Sequence, residues 1–131
     1  MLWLTIHIKS NRGQALVEFA LMLPVLMLLV VGMMDFGLII NQHMVVAEAA
    51  REGARSAALG ESDAEVIVVA KKAASQINIS QLKVSISPQE TRIKGDGVTV
   101  NISNPVTITP ILSRFFPSNF TVQGSATMRV E

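Results

Sequence analysis

Residues 19–34 carry no charge, and one carboxylate stands at each end of the run, Glu18 before it and Asp35 after it. A stretch this apolar has two ways to escape water, burial in a large core or entry into a lipid bilayer. The chain has 131 residues, so it holds one membrane helix and one small domain rather than a large core. A bilayer core of roughly 30 Å takes about 20 apolar residues in helical form. We therefore expect a transmembrane helix over residues 14–40 that accommodates both acids. An ionisable group at membrane depth is costly, and Glu18 is singled out on that ground as a working residue. Pro24 lies inside the run, where it removes one helical hydrogen bond. Membrane helices tolerate this with a kink. Gly32 and Gly37 are spaced to let another helix come close.

The flanks of the run give orientation. Residues 1–13 form a leader with an apolar start and two cations, Lys9 and Arg12. Positive charge before the span keeps the N-terminus in the cytoplasm and sends residues 41–131 across the membrane. Arg51 and Arg55 lie on the far side, but each has an acid three residues earlier, Glu48 and Glu52. A secretory signal peptide carries a small-x-small cleavage site after its apolar run. Here that region reads Asp35-Phe36-Gly37-Leu38-Ile39-Ile40, a poor match. The glycine stands before the run instead, at Gly13, and a cut there removes the charged leader while keeping the helix. Two readings of these residues stay open. In one, Gly13 and Gln14 flank a processing site. In the other, Gly13 is a flexible residue ahead of an uncut anchor and Glu18 snorkels to the interface.

The helical pattern continues past Asn41-Gln42-His43. Ala47, Ala50, Ala54 and Ala57/Ala58 recur at steps of three and four, one face of a helix. Glu48–Arg51 and Glu52–Arg55 are spaced as i,i+3 ion pairs, and Gly60 is a natural C-terminal stop. Residues 41–60 are thus an exported continuation of one helix about 70 Å long. In the remaining domain, residues 61–131, Ser62-Asp63-Ala64-Glu65 is a capping box that opens a second helix over 63–76. Strand alternation follows at 82–87 and 98–103. Gly95-Asp96-Gly97 forms a turn, with a hairpin involving 91–94. Residues 106–109 are expected as a short strand at an edge or bend, bounded by Pro105 and Pro110. Residues 121–130 give a last strand with a bulge at Gly124. Phe115 and Phe116 are expected as core or loop anchors rather than an exposed adhesive patch. One face of this antiparallel sheet packs on both helices.

Several function classes lack their residues. Formal net charge is +1, which gives no electrostatic case for nucleic acid. Tyrosine is absent and Trp3 is the only tryptophan, so no stacking platform for bases exists. With no cysteine there is no disulfide, thiolate zinc site or cysteine nucleophile. The two histidines, His7 and His43, have no metal-ligand spacing. Neither a nucleophile elbow nor a phosphate-binding glycine loop is present. We expect no catalytic residues, no cofactor and no metal: a substrate of an enzyme and a building block, not an enzyme.

The charged leader, the glycine, the glutamate five residues after it and the apolar run together resemble a type IV prepilin leader. A closer resemblance is carried by Gly13-Gln14-Ala15-Leu16-Val17-Glu18-Phe19-Ala20-Leu21, by Pro24, and by Ala49-Ala50-Arg51-Glu52-Gly53-Ala54-Arg55-Ser56-Ala57-Ala58. These blocks look like the TadE-like family, and the ending Ala126-Thr127-Met128-Arg129-Val130-Glu131 is similar to that family's usual one. The resemblance implies an α+β, pilin-like fold: a long N-terminal membrane helix continuing into an exported domain with a short second helix and a small antiparallel sheet. It implies a pseudopilin or minor pilin of a tight-adherence pilus, cut by a prepilin peptidase between Gly13 and Gln14. It further implies that Glu18 neutralises the new N-terminal amine of a neighbouring subunit. Gln14 departs from the aromatic first residue usual in type IV pilins, and an N-terminal glutamine can cyclise and lose its amine. Arg51, Glu52, Gly53 and Arg55 are either a solvated helix surface or a contact surface, with Gly53 permitting close approach by the sheet or a partner. The expected partners are membrane lipid, the prepilin peptidase, other pilin-like subunits and the pilus assembly machinery. The expected location is the bacterial inner membrane, with possible incorporation into a surface pilus.

Overall fold

The computed structural model describes residues 11–89, 91–116 and 119–131. Most of the leader, residues 1–10, lies outside them, as do Glu90, Pro117 and Ser118. The chain is α+β in a pilin-like layout. A first helix, α1, spans Asn11–Ala58, and a second, α2, spans Asp63–Ala73. Three strands follow: β1 at Lys83–Ser87, β2 at Gly97–Thr107 and β3 at Asn119–Arg129. They form one antiparallel sheet in the order β1-β2-β3.

α1 runs 48 residues without interruption, through Pro24, which makes it about 72 Å long at 1.5 Å per residue. Its described part begins at Asn11, so Gly13 and Gln14 lie within the helix rather than ahead of it. The helix stops where expected. Gly60 takes a left-handed conformation, φ +84°. Its N–H donates to Ala57 O at 3.2 Å, and the Glu61 N–H donates to Ser56 O at 3.4 Å. That pairing satisfies the last carbonyls of the helix and is the terminator for which glycine is favoured. Two residues after Gly60 the capping box forms as the sequence predicts. The Ser62 hydroxyl accepts from the Glu65 N–H at 3.4 Å, and the Glu65 carboxylate accepts from the Ser62 N–H at 2.9 Å. Helix α2 ends three residues before the expected Gln76. Ala74 caps it, with its N–H on Ala70 O at 3.0 Å.

The core lies between the C-terminal part of α1 and one face of the sheet. On α1 the covered stripe is Asp35, Ile39, Gln42, Val46, Ala49/Ala50, Gly53 and Ala57, a heptad-like spacing. Of the alanines read as one face, Ala50, Ala54, Ala57 and Ala58 are buried and Ala47 is half-buried. Small residues here let a flat sheet lie close to the helix. Facing them are Val98, Val100, Ile102 and Val106 of β2, Val122 of β3 and Ile86 of β1. The opposite sheet face is Thr, Ser and Asn, with Thr99 and Thr127 hydroxyls 2.8 Å apart across β2 and β3. Helix α2 rests chiefly on α1, through Val66 and Ala70 opposite Gly53, rather than on the sheet.

Four local expectations are corrected. Residues 106 and 107 are not a separate strand but the end of β2, with Pro105 inside it, paired with Thr121. The register shows why this proline is tolerated. The β1–β2 ladder ends at Lys83–Ser103, so beyond Ser103 β2 has β3 on one side and an open edge on the other. Gly124 makes no bulge: the β2–β3 register is unbroken from Gly97–Arg129 to Thr107–Asn119. Residues 91–94 form no hairpin strand; Gly95, φ +93°, instead hands its N–H to Val130 O at 2.9 Å. Phe115 and Phe116 are exposed, and Leu112 between them and Thr109 is the residue that anchors the turn.

Candidate functional site

The long helix is the only element that carries all the residues singled out for processing and assembly. From Gly13 to Val30 every described side of it is exposed, including Leu16, Val17, Phe19, Leu21 and Met22. Its most apolar window has a mean hydropathy of 2.5, which makes this one helix a candidate membrane span. Such a surface is unstable in water: each large side chain left uncovered forgoes about 1.5–3 kcal/mol of burial. The bare half of α1 therefore needs a cover that the domain does not provide.

Gly13 and Gln14 are exposed near the start of the described part of α1. Glu18 is exposed one turn further on, and among the described residues no cation pairs with it. Asp35 behaves differently. It is buried, and its carboxylate accepts from the Thr109 N–H at 3.0 Å and the Thr109 hydroxyl at 2.6 Å. Seven residues on, the Gln42 amide oxygen accepts from Asn104 Nδ2 at 3.2 Å. These two contacts bind the end of β2 and its following turn to the helix at the boundary of the apolar run. The sequence marks Asp35 as polar in an apolar setting but cannot show its partner, which lies 74 residues away.

The Arg51-Glu52-Gly53-Ala54-Arg55 block divides by side. Arg51 is exposed and pairs with Glu48 at 3.0 Å. Glu52 is half-buried and Arg55 exposed, and among the described residues no ion pair joins them, in contrast to the spacing-based expectation. Gly53 is buried. A Cβ built on it meets Val100 Cγ1 at 3.2 Å and Ala70 Cβ at 3.4 Å, so the sheet and α2 both approach it closely. An arginine not marked in the sequence, Arg92, holds the far end of the domain. Its buried guanidinium pairs with Asp63 and donates to the carbonyls of Ala57 and Glu61, which closes the α1–α2 corner. Nothing in its neighbours in sequence signals this role.

The titration of Glu65 is shifted: backbone and side-chain hydrogen bonds from Ser62 hold its carboxyl below the usual glutamate range. Among the described residues no group of three or more His, Cys, Asp or Glu is placed to hold a metal. The surface hollows are shallow, and the one at the α1–α2 corner is lined by Glu61, Asp63, Arg92 and Lys94. Of these, Arg92 is engaged with Asp63 and with the Ala57 and Glu61 carbonyls, and the Glu61 carboxylate accepts from the Ser56 hydroxyl.

Residues 13–55 match the family model described as TadE-like protein. The resemblance carried by the N-terminal and Ala-Arg-Glu-Gly-Ala-Arg blocks is thereby shown over 43 of the 131 residues. The match covers the bare half of α1 and most of the half that packs on the sheet, and it stops before α2. No curated protein and no solved structure matches the chain.

Proposed function

We propose that the chain is a pseudopilin or minor pilin-like structural component of tight-adherence (Flp-type) pilus assembly. The observation that supports this most is the division of one unbroken helix into a bare apolar half and a half built into a small domain. A rod of that kind has one surface for lipid and, when pulled from lipid, the same surface for other helices of its kind. The TadE-like match over that rod supports the association with a pilus. In this reading the N-terminus lies in the cytoplasm, the domain is exported across the inner membrane, and a prepilin peptidase cuts between Gly13 and Gln14. Glu18 then meets the new N-terminal amine of a neighbour. Two opposite charges in lipid are each expensive alone, and pairing offsets much of that cost. The chain acts as a building block and not as an enzyme.

A second reading draws on the helical setting of the cut. Because α1 is already helical before Gly13, a peptidase must unwind the helix there to reach the bond, and an uncut, membrane-anchored scaffold or adhesin needs no such step. N-terminal peptide mapping of the protein from membranes of its host separates the two. The pilin reading expects peptides that start at Gln14 or at its cyclised form. Chains that keep Lys9 and Arg12 while the host's prepilin peptidase is active would establish the scaffold. Glu18→Ala is expected to be cut normally and to enter assemblies poorly; unchanged incorporation would remove the register-setting role of the carboxylate.

A further inference from the structure

β2 descends along α1 toward the bare half of the helix: Asn104 meets Gln42, and Thr109 meets Asp35. One turn lower, Val31 and Gly32 are half-buried, whereas the residues from Gly13 to Val30 are all exposed. The lower edge of the domain therefore overlaps the last turn of the uncharged run. The chain reverses at this edge through a 3-10 turn at Leu112–Arg114. Leu112 points inward, but Ile111, Phe115 and Phe116 are 56%, 69% and 57% exposed. Arg114 is exposed among them. A span of about 20 residues that starts near Glu18 ends near residue 38, which puts Asp35 and the turn beside it at the outer boundary of the bilayer.

We propose that the turn at residues 110–116 is a second membrane contact, seated in the interfacial layer of the bilayer that α1 enters. Ile111, Phe115 and Phe116 lie at the acyl boundary, and the Arg114 guanidinium lies at the level of the lipid phosphates. Amphipathic segments with aromatic and aliphatic residues beside a cation bind this layer. The occupant is lipid rather than a second copy because the Thr109–Asp35 contact holds the turn at the level of the exposed Met33, Met34 and Phe36 of the helix, the height where any bilayer around that helix must end. The two attachments fix the height and tilt of the domain over the membrane. Asp35 is carried at this depth without facing lipid, since Thr109 covers it. The proposal rests on α1 spanning a membrane.

The full chain supplies its own optical test, because Trp3 is its one tryptophan. Trp3→Phe removes it, and Phe116→Trp then places a single reporter on the turn. In vesicles of phosphatidylcholine and phosphatidylglycerol with brominated acyl chains, this reporter is expected to emit to the blue and to be quenched about as strongly as Leu26→Trp within the span. Val68→Trp is exposed on α2 beside Ala70, roughly 27 Å further along the helix, and is expected to stay unquenched. Quenching of Leu26→Trp with none at Phe116→Trp overturns the second contact and leaves the span standing. No quenching at Leu26→Trp overturns both. A blue shift at Phe116→Trp that grows with protein density, without quenching by the lipid, overturns the proposal in favour of a second copy of the chain on the patch.

Discussion

Two glycines set how closely the domain grips the long helix, and the structure separates them by what a methyl group would strike. At Gly124 a Cβ would stand 2.8 Å from Val46 O, 2.9 Å from Val46 C and 3.0 Å from Ala47 Cα. All three are helix backbone, so β3 and α1 must move apart. At Gly53 the nearest atoms are side-chain carbons of Val100 and Ala70 at 3.2 and 3.4 Å, which yield by tenths of an ångström. Overpacking costs about 1–3 kcal/mol, and replacing glycine inside a strand returns about 0.5–1 kcal/mol. Gly124→Ala is thus expected to destabilise the domain by about 1–2 kcal/mol, or to lower its Tm by roughly 5–15 °C at the usual 4–8 °C per kcal/mol. Gly53→Ala gains about 1 kcal/mol in helix propensity, which offsets a mild clash, and its Tm is expected within roughly 4 °C of the parent. Thermal melts of the full chain in detergent, followed by circular dichroism, measure both. In Gly124→Ala, amide exchange at residues 46–50 is expected to speed up as the interface opens. A Gly124→Ala protein that melts with the parent while Gly53→Ala falls by 10 °C or more, on the order of the effect assigned here to Gly124, would falsify the assignment of the tight contact.

Asp35→Ala strips the Thr109 N–H and hydroxyl of their acceptor. Hydrogen bonds to a charged group contribute about 1.5–3 kcal/mol, so faster amide exchange at Thr109 and along 108–113 is the expected result, and unchanged exchange there counts against the anchoring role. Arg92→Lys keeps the charge but loses the fork that reaches Asp63, Ala57 and Glu61 together; a lowered Tm close to that of Arg92→Ala is expected, and full retention of stability would refute it. Ser62→Ala removes the cap of α2 at a cost of about 1 kcal/mol. The Glu65 carboxyl is held below its usual range by Ser62, so its folded value is depressed. Its contribution is present above the unfolded value and is lost as pH falls through the folded one. The stability difference between Ser62→Ala and the parent is therefore expected to shrink on acidification below the ordinary glutamate range, and a constant difference down to the lowest pH would contradict the linkage.

Local signals in this chain were legible because each is complete within a few residues. The three-and-four spacing of Ala50, Ala54 and Ala57 fixes a helix face, Gly60 stops that helix, and Ser62 with Glu65 starts the next. The alternation from Val98 to Ile102 gives a strand and its buried side. What failed was any feature whose meaning depends on a distant partner. A glycine in a strand signals a bulge or a close backbone approach, and only the contact with Val46 decides for the second at Gly124. Pro105 reads as a strand boundary until the short reach of β1 shows that the edge beside it is open. Arg92 reads as a loop charge because Asp63 and the carbonyls it binds come from a different part of the chain.

The two acids that bracket the apolar run look alike in sequence and part company in the fold. Asp35 is spent inside the molecule: Thr109 satisfies it, and the contact fixes where the domain begins on the helix. Glu18 lies on a stretch that no described element touches, 17 residues or about 26 Å further down the same helix. The domain ends near residue 31 and cannot reach it. A carboxylate in lipid must be neutralised, solvated at an interface or paired, and the described part of this chain supplies no pairing group there. If α1 stays in a membrane with Glu18 near one face, its carboxylate has water at that interface. On the proposed function, a neighbouring subunit answers its charge when α1 leaves the membrane, so the cost of Glu18 becomes a condition on assembly and not on folding. For that reason Glu18→Ala is expected to leave the Tm of the small domain unchanged while it reduces incorporation, and a stability loss without an assembly defect would place its partner within the chain.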